Sequence, residues 1–261
     1  MAHLGPRPVA AYAGPSTQSL AVNLCESGHV NGDDALESNL APISAISIIG
    51  DDVINPSPAI REEFLEDLKD ELRGKIREQR KSLDPRAVHD ADLGIARQAS
   101  DLAASLGLSE GDTIAAYVSR RHEPGTSSTL EALRSAGIEI LLPVLGPALD
   151  RGWGRYRGPD DLAQRAPGRP LEPTEIAGSA DEIARARLVL VPALAVDDSG
   201  LRLGQGGGWY DRALLHADLT SSVIAVVYDD EAHHAPLPRA PHDVPVAGVL
   251  TPTAWWRLDS E

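Results

Sequence analysis

From residue 113 onward, short continuous runs of apolar residues recur, and no other feature of this sequence limits the possible fold as strongly. The runs are residues 113–118, 138–144, 188–196, 223–228 and 246–250. Because their apolar residues are continuous rather than alternating, the runs are typical of strands buried on both faces. Segments with helical spacing lie between several of them. The alternation predicts an α/β fold: a layered, mainly parallel sheet flanked by helices.

Helices are predicted before and between these strands. In the first, apolar residues recur every three or four positions, which indicates an amphipathic helix of about 20 residues from Glu62. These apolar residues are Leu65, Leu68, Leu72 and Ile76. Further helices are predicted at residues 86–106 and 126–135. Residues 151–180 are rich in Gly, Pro and Arg, which predicts a long loop with some strand at residues 153–156.

Residues 1–60 differ in composition from the rest of the chain. They are rich in Gly, Pro, Ser, Asn and Ala, and Arg7 is their one basic side chain among several acids. This composition predicts a mostly disordered extension, followed by a single α/β domain over residues 62–257. Two alternatives stay open: a residual strand at residues 46–49, or a start codon placed too far upstream.

The overall charge and composition narrow the class of partner. A formal net charge of -15 repels phosphate backbones, so we expect no nucleic-acid partner. No run approaches the roughly 20 apolar residues of a membrane helix, and the start lacks the pattern of a secretory signal. Cys25 is the only cysteine, which excludes a disulfide framework or a cysteine-rich metal site within one chain. We expect a cytoplasmic protein that does not bind membranes.

The most informative local pattern is a glycine-rich segment after the apolar run 188–196. Four glycines lie within residues 204–208, where they allow a backbone to approach a ligand closely. An apparent helix follows, and the first N–H groups of a helix favour an anion. Arg202 and Asp211 flank the glycines and supply a cation for phosphate and a carboxylate for magnesium. The alternative is a flexible turn between strand and helix.

Three other segments carry charged residues in suggestive positions. One face of the first helix would be cationic, although a solvated face is the alternative; its residues are Lys69, Arg73, Arg77 and Arg80. Glu123 lies in a loop at the carboxyl end of a strand and before Thr126, a typical helix cap; a surface turn is the alternative. His242 and Asp243 precede the run 246–250, where an incidental pair is the alternative.

These four segments, in this order, resemble the 5-formyltetrahydrofolate cyclo-ligase family over residues 62–257. The most specific part is R-L-G-x-G-x-G-[aromatic]-Y-D-x at residues 202–212. The resemblance implies a layered α/β fold similar to ribose-phosphate isomerases and CoA transferases. It also implies magnesium-dependent conversion of 5-formyltetrahydrofolate and ATP to 5,10-methenyltetrahydrofolate, ADP and phosphate. We expect a monomer that acts on these small molecules.

The resemblance also assigns roles to residues. The ATP-binding residues would be Lys69, Arg73, Arg202, Leu203, Gly204, Gln205, Gly206, Gly207, Gly208, Trp209 and Tyr210. The folate-binding residues would be Val118, Glu123, Gln205, Gly206, Gly207, Gly208 and Trp209. The catalytic residues would be Arg202, Gln205 and Gly207, and the magnesium-binding residues Asp211 and Asp243. Two positions depart from the family: Trp209 replaces the usual tyrosine, and Gly207 stands where some members have lysine.

Two other functions compete with this one. A cyclo-ligase-like regulatory protein would bind folate or nucleotide without turnover. A sugar-phosphate isomerase of similar fold would bind phosphate without ATP or magnesium, and would leave Lys69 and Arg73 unexplained. The retention of all the charged positions together favours the enzyme.

Overall fold

The computed structural model describes residues 58–145, 151–233 and 235–258. The extension predicted at residues 1–60 therefore lies outside the described residues, except for its last three positions, which belong to the first helix. The strand considered at residues 46–49 also lies outside them.

The described residues form four α-helices and twelve strands. The helices are α1 (Pro58–Lys81), α2 (Pro85–Ser105), α3 (Ser127–Ser135) and α4 (Trp209–Leu214). The first six strands are β1 (Thr113–Ala115), β2 (Glu139–Leu145), β3 (Arg151–Arg155), β4 (Leu162–Gln164), β5 (Leu171–Pro173) and β6 (Ile176–Ser179). The others are β7 (Leu188–Pro192), β8 (Ala195–Val196), β9 (Arg202–Leu203), β10 (Ser222–Val226), β11 (Gly248–Leu250) and β12 (Trp255–Arg257).

Eight strands form the main sheet, in the order β12-β11-β10-β7-β1-β2-β3-β6. The central strands β11, β10, β7, β1 and β2 are parallel. Strands β12, β3 and β6 add to the two edges in antiparallel pairing. The predicted mainly parallel sheet flanked by helices is confirmed.

Apolar side chains cover both faces of this sheet, as the continuous runs predicted. In β7, Leu188 and Leu190 pack with residues of α2 and α3 on one face. Val189 and Val191 point to the other face, where they pack with Ile183 and with α4. Burial of each such side chain stabilises the fold by roughly 1.5–3 kcal/mol, which explains why no polar alternation appears in these strands.

The run 188–196, predicted as one strand, is divided in the structure. Strand β7 ends at Pro192, which has no N–H to continue a ladder. The chain then forms β8, which pairs with β9 as a separate two-stranded hairpin. Leu194 and Leu203 of this hairpin region pack against Ile76 of α1. This contact brings α1 to the glycine-rich segment that follows β9.

The strand predicted at residues 153–156 is present in β3, but the rest of residues 151–180 is not the long loop that their composition predicted. Residues 151–180 contain β3 to β6, and β3 and β6 extend the main sheet. Trp153 is fully buried, and its Nε1 donates to the carbonyl of Ala180 at 3.2 Å. Pairing between strands supplies the backbone hydrogen bonds here, so Gly and Pro content is a poor guide.

Within the described parts of the chain, we find no helix both long and apolar enough to cross a membrane.

Candidate active site

The cationic face of α1 is turned toward the protein rather than toward solvent. Lys69, Arg73 and Arg80 are buried, whereas Arg77 is exposed. The Nε of Arg73 donates to the carbonyl of Gly204 at 3.0 Å, and Arg77 donates to the carbonyl of Gln205 at 3.0 Å. The solvated-face alternative therefore does not describe this helix, which contacts the glycine-rich segment directly.

Within residues 204–208, here called the glycine loop, Gly206 and Gly208 need glycine for their backbone conformation. Gly206 and Gly208 have φ values of +96° and +57°, in the region that side chains rarely adopt. A Cβ on Gly206 would lie 3.4 Å from the Arg73 guanidinium, and one on Gly208 would lie 2.9 Å from that of Arg212. Arginines on both sides thus hold the backbone of the loop.

The helix that follows the glycine loop contributes less than the sequence indicated. Helix α4 has only six residues, so it offers a weak helix dipole to an anion. Positive charge near the loop comes instead from side chains. Arg202 at its start is buried, and Arg212 donates to the carbonyl of Gly207 at 2.8 Å.

Two ion pairs join charged residues that the sequence analysis singled out: one links two distant segments, and the other lies within the segment that contains the glycines. The Nζ of Lys69 lies 2.8 Å from Oδ2 of Asp243, and the Nη2 of Arg202 lies 2.7 Å from Oδ1 of Asp211. The backbone N–H of Ala240 also donates to Asp243, at 2.7 Å. Because a buried charge is costly without a partner, each carboxylate offsets part of the cost of burying its cation.

The same two carboxylates have the donor chemistry that magnesium requires. Within residues 58–145, 151–233 and 235–258, no three His, Cys, Asp or Glu side chains form a metal-binding group. Magnesium, however, commonly takes one or two protein carboxylates and completes its shell with waters and substrate phosphates. Asp211 and Asp243 supply carboxylate oxygens of this kind, and each is paired with a cation in the structure.

Glu123 is buried, and both of its carboxylate oxygens accept hydrogen bonds. Its Oε2 accepts from the backbone N–H of Arg120 at 2.8 Å, and its Oε1 accepts from Nε2 of Gln205 at 3.1 Å. The surface-turn alternative does not fit this burial. The bond to Gln205 joins the strand-end loop to the glycine loop; the family resemblance assigned both residues to the folate site but did not indicate this bond.

Thr126 holds the Glu123 loop, although not in the expected way. Its hydroxyl makes no cap bond to α3. Instead it donates to the carbonyl of Tyr117 at 2.8 Å and accepts from the N–H of Ser119 at 3.0 Å. These bonds close the loop and present Glu123 on its inner side.

Two tyrosines near Glu123 keep buried hydroxyls that have no partner among the described residues: Tyr117 and Tyr210. Burial raises the pKa of the Tyr117 phenol well above its usual value, and the charge of Glu123 raises it further. The same two causes, in the same order, raise the pKa of Tyr210. Both phenols therefore stay neutral and can donate. The sequence indicated Tyr210 through its motif, whereas Tyr117 was missed because it reads as an ordinary strand residue.

Val118 and Trp209, two other predicted site residues, pack against the apolar core. Val118 lines an apolar cavity of about 300 Å³ together with Leu130, Tyr156 and Leu162. The indole of Trp209 packs edge-to-face against Trp153, with 5.3 Å between ring centroids. The Trp209 side chain therefore packs against the core, and its contact with Trp153 holds the end of the glycine loop in place.

A buried ion pair that the sequence did not indicate supports this region. Arg80 forms two 2.7 Å hydrogen bonds with Glu231 and a third with the carbonyl of Ala193. Burial acts to lower the pKa of Arg80, but the hydrogen bonds and charge of Glu231 outweigh it and raise the pKa. The guanidinium also lies over the Tyr228 ring, 5.5 Å from its centroid. Glu231 could not be found from sequence because 151 residues separate it from Arg80.

The parallel sheet, covered on both faces, and the loops beside it define a layered α/β protein of a known enzyme class. Residues 66–252 match the model of the 5-formyltetrahydrofolate cyclo-ligase family, and the chain belongs to that family. It is 42% identical over 193 residues to the 5-formyltetrahydrofolate cyclo-ligase of Mycolicibacterium smegmatis, covering 70% of this chain and 93% of that protein. The Escherichia coli K12 protein of that name is 29% identical over 147 residues, covering 55% and 80%.

Solved structures agree on the fold. The NMR structure of 5,10-methenyltetrahydrofolate synthetase from Aquifex aeolicus is 25% identical, with a TM-score of 0.62, and the match covers 74% of this chain and 94% of that one. The Mycoplasma pneumoniae synthetase is 18% identical, with a TM-score of 0.55 and coverage of 70% and 98%.

Proposed function

We propose that this protein converts 5-formyltetrahydrofolate and ATP to 5,10-methenyltetrahydrofolate, ADP and phosphate, with magnesium. It would do so as a cytoplasmic monomer, through the domain at residues 62–257, with residues 1–60 dispensable. The observation that carries the proposal is the position of the glycine loop. The loop contacts the cationic helix α1 on one side and the buried carboxylate of Glu123 on the other. A phosphate donor and an organic substrate could meet there.

The chemistry needs charge neutralisation more than a protein nucleophile. The formyl oxygen forms a bond to the terminal phosphorus of ATP while the bond to ADP breaks. The second folate nitrogen then attacks the formyl carbon and loses its proton, and phosphate leaves with the former formyl oxygen. Lys69, Arg73 and Arg202 would hold the phosphates and stabilise the charge that builds on their oxygens.

Magnesium, held by Asp211 and Asp243, would supply further positive charge to the phosphate oxygens. The protein's own residues would align the two substrates. The backbone of the glycine loop would approach the phosphates, and Gln205 would lie between them and the folate. Such alignment removes much of the entropic cost of bringing two bound molecules together.

Glu123 would recognise the pterin ring. A carboxylate has two acceptor oxygens, and the pyrimidine edge of a pterin presents adjacent N–H donors. In the structure, Gln205 and the N–H of Arg120 donate to this carboxylate. Folate would use the remaining lone pairs of this carboxylate.

The test is direct. Purified protein is supplied with 5-formyltetrahydrofolate, ATP and magnesium, and near-ultraviolet absorbance follows the methenyl product. Omission of ATP or magnesium is the control, and each should abolish the signal. Folate binding without product under complete conditions would instead favour the non-catalytic regulatory protein, and phosphate binding independent of ATP would favour the isomerase.

A further inference from the structure

The side chain of Gln205 is held at both ends. Its Oε1 accepts from Nε and Nη2 of Arg77, at 3.1 and 3.0 Å, and its backbone carbonyl accepts from the same Nη2 at 3.0 Å. Its Nε2 donates to Oε1 of Glu123 at 3.1 Å. One amide therefore connects helix α1 with the carboxylate proposed to bind folate.

Arg77 differs from the other cations of its helix face. Lys69, Arg73 and Arg80 each form ion pairs with carboxylates. Across the described part of the chain, Arg77 forms no ion pair. Its planar guanidinium instead spans the side-chain and backbone oxygens of one residue, a geometry that the single ammonium of lysine cannot reproduce.

These hydrogen bonds from Arg77 determine the orientation of the Gln205 side-chain amide. With Oε1 against the guanidinium, Nε2 is directed at the Glu123 carboxylate. The opposite orientation would set the amide N–H groups against the donors of Arg77 and the amide oxygen against a carboxylate. Because both contacts would then be repulsive, Arg77 selects the orientation in which Glu123 receives a donor.

We propose that Arg77 is a positioning residue for folate recognition: it holds the Gln205 amide against Glu123 and so fixes the direction of that carboxylate. The inference rests on the proposed function, because it takes Glu123 as the folate contact. Arg77 would act through Gln205 rather than by touching ATP.

The experiment compares R77M and R77K with K75M as the matched control. Lys75 is an exposed cation of the same helix that pairs with Glu71, away from the glycine loop. We expect R77M to raise the folate KM about 5- to 20-fold, less than the loss of a whole charge-assisted hydrogen bond, because Glu123 keeps its second donor from Arg120. The KM for ATP and the melting temperature should stay close to those of K75M. R77K should fail to restore the folate KM, because an ammonium cannot span both oxygens.

A double-mutant cycle tests whether the effect passes through Gln205. R77M should have no further effect on folate KM in a Q205A background, since the group that it positions is already gone. Additive effects of the two substitutions would overturn the inference. So would a raised ATP KM that R77K rescues, because that pattern indicates a direct phosphate contact.

Calorimetric binding of 5-formyltetrahydrofolate without ATP separates this inference from the proposed function. Weaker folate binding by R77M supports the inference even if the wild-type protein shows no turnover. Unchanged binding by R77M in a protein that turns over overturns the inference alone. A wild-type protein that does not bind the folate overturns both.

Discussion

The ammonium of Lys69 lies 2.8 Å from the carboxylate of Asp243, although 174 residues separate them in the sequence. Arg202 and Asp211 form a second pair of the same kind at 2.7 Å. In each, a cation proposed to bind phosphate is joined to a carboxylate proposed to bind magnesium. The complex of magnesium with ATP could replace both partners at once, its phosphates meeting the cations and its metal the carboxylates. Such paired charges would provide the proposed ATP site in a chain whose net charge is -15.

Substitution of Asp211 or Asp243 by Asn should raise the magnesium concentration needed for half-maximal turnover roughly tenfold or more, because a metal ligand loses its charge. Turnover at graded magnesium concentrations measures this. D198N is the control, because Asp198 is an exposed carboxylate that pairs with His233 and is not a proposed metal ligand. Magnesium titrations identical to wild type in both D211N and D243N would show that these carboxylates serve only as counter-ions.

Glu123→Gln should raise the folate KM about 10- to 150-fold, from the energies of hydrogen bonds to a charged partner. The substitution keeps the shape of the side chain but replaces an acceptor with a donor. The KM for ATP should change little, since other residues would hold the phosphates. Steady-state kinetics with each substrate varied in turn measures both values. An equal loss of affinity for ATP and folate would contradict the assignment of Glu123 to the pterin.

Tyr117→Phe should keep or raise the stability of the free protein but weaken its affinity for substrate. Its hydroxyl is buried without a partner in the described residues, so deletion should leave the free protein as stable as before or about 1 kcal/mol more stable. If the hydroxyl donates to bound substrate, the folate KM should rise. Denaturant unfolding and kinetics test the two effects. Y156F is the matched control and should be less stable than wild type, because the Tyr156 hydroxyl donates to Glu131 at 2.7 Å. A loss of stability in Y117F would contradict the prediction, because it would mean that the Tyr117 hydroxyl has a hydrogen-bond partner in the free protein.

Arg80→Met should lower the free energy of unfolding by about 3–5 kcal/mol, because it leaves the buried carboxylate of Glu231 without its partner. The double substitution R80M/E231M should recover part of this loss, since apolar side chains can replace a buried ion pair. Urea unfolding of the three proteins measures the effect. If the double variant were as unstable as the sum of both single variants, Arg80 and Glu231 would not act as a pair.

The lowered pKa of Asp112 should make the stability of the protein depend on pH in the acidic range. A hydrogen bond from the Ser109 backbone N–H holds this pKa below its usual value, and Arg187 lowers it further. A carboxyl with a lowered folded-state pKa adds stability above its unfolded pKa and loses it as pH falls through the folded value. The melting temperatures of wild type and D112N should therefore differ at pH 7, and the difference should begin to shrink as pH falls below about 4. A constant difference down to pH 3 would contradict this account.

Much of the fold followed from local pattern. The spacing of Leu65 to Ile76 predicted the register of α1, although the helix begins a few residues earlier. The continuous apolar run from Leu188 predicted a strand buried on both faces, and β7 is such a strand. These predictions succeed because the period of apolar residues reports which faces of an element are covered. The motif at residues 202–212 identified the family without any structure.

Pairings between distant residues could not be obtained in this way. Strands β3 and β6 form because each pairs with a neighbouring strand: β3 with β2, and β6 with β3. The local composition of residues 151–180 did not predict this extent of pairing. Likewise, the family resemblance assigned Gln205 and Glu123 to one folate site, but only the structure shows the hydrogen bond between them, across 82 residues of sequence.

By itself, therefore, the sequence determined the positions of the four helices, the five parallel strands of the main sheet and the family. Only the tertiary structure decided the partners of the charged residues: Lys69 with Asp243, Arg80 with Glu231, and Arg77 with Gln205. The physical reason is that apolar periodicity is a local property of the chain, whereas the partner of a buried charge depends on which segments the fold brings within hydrogen-bond distance.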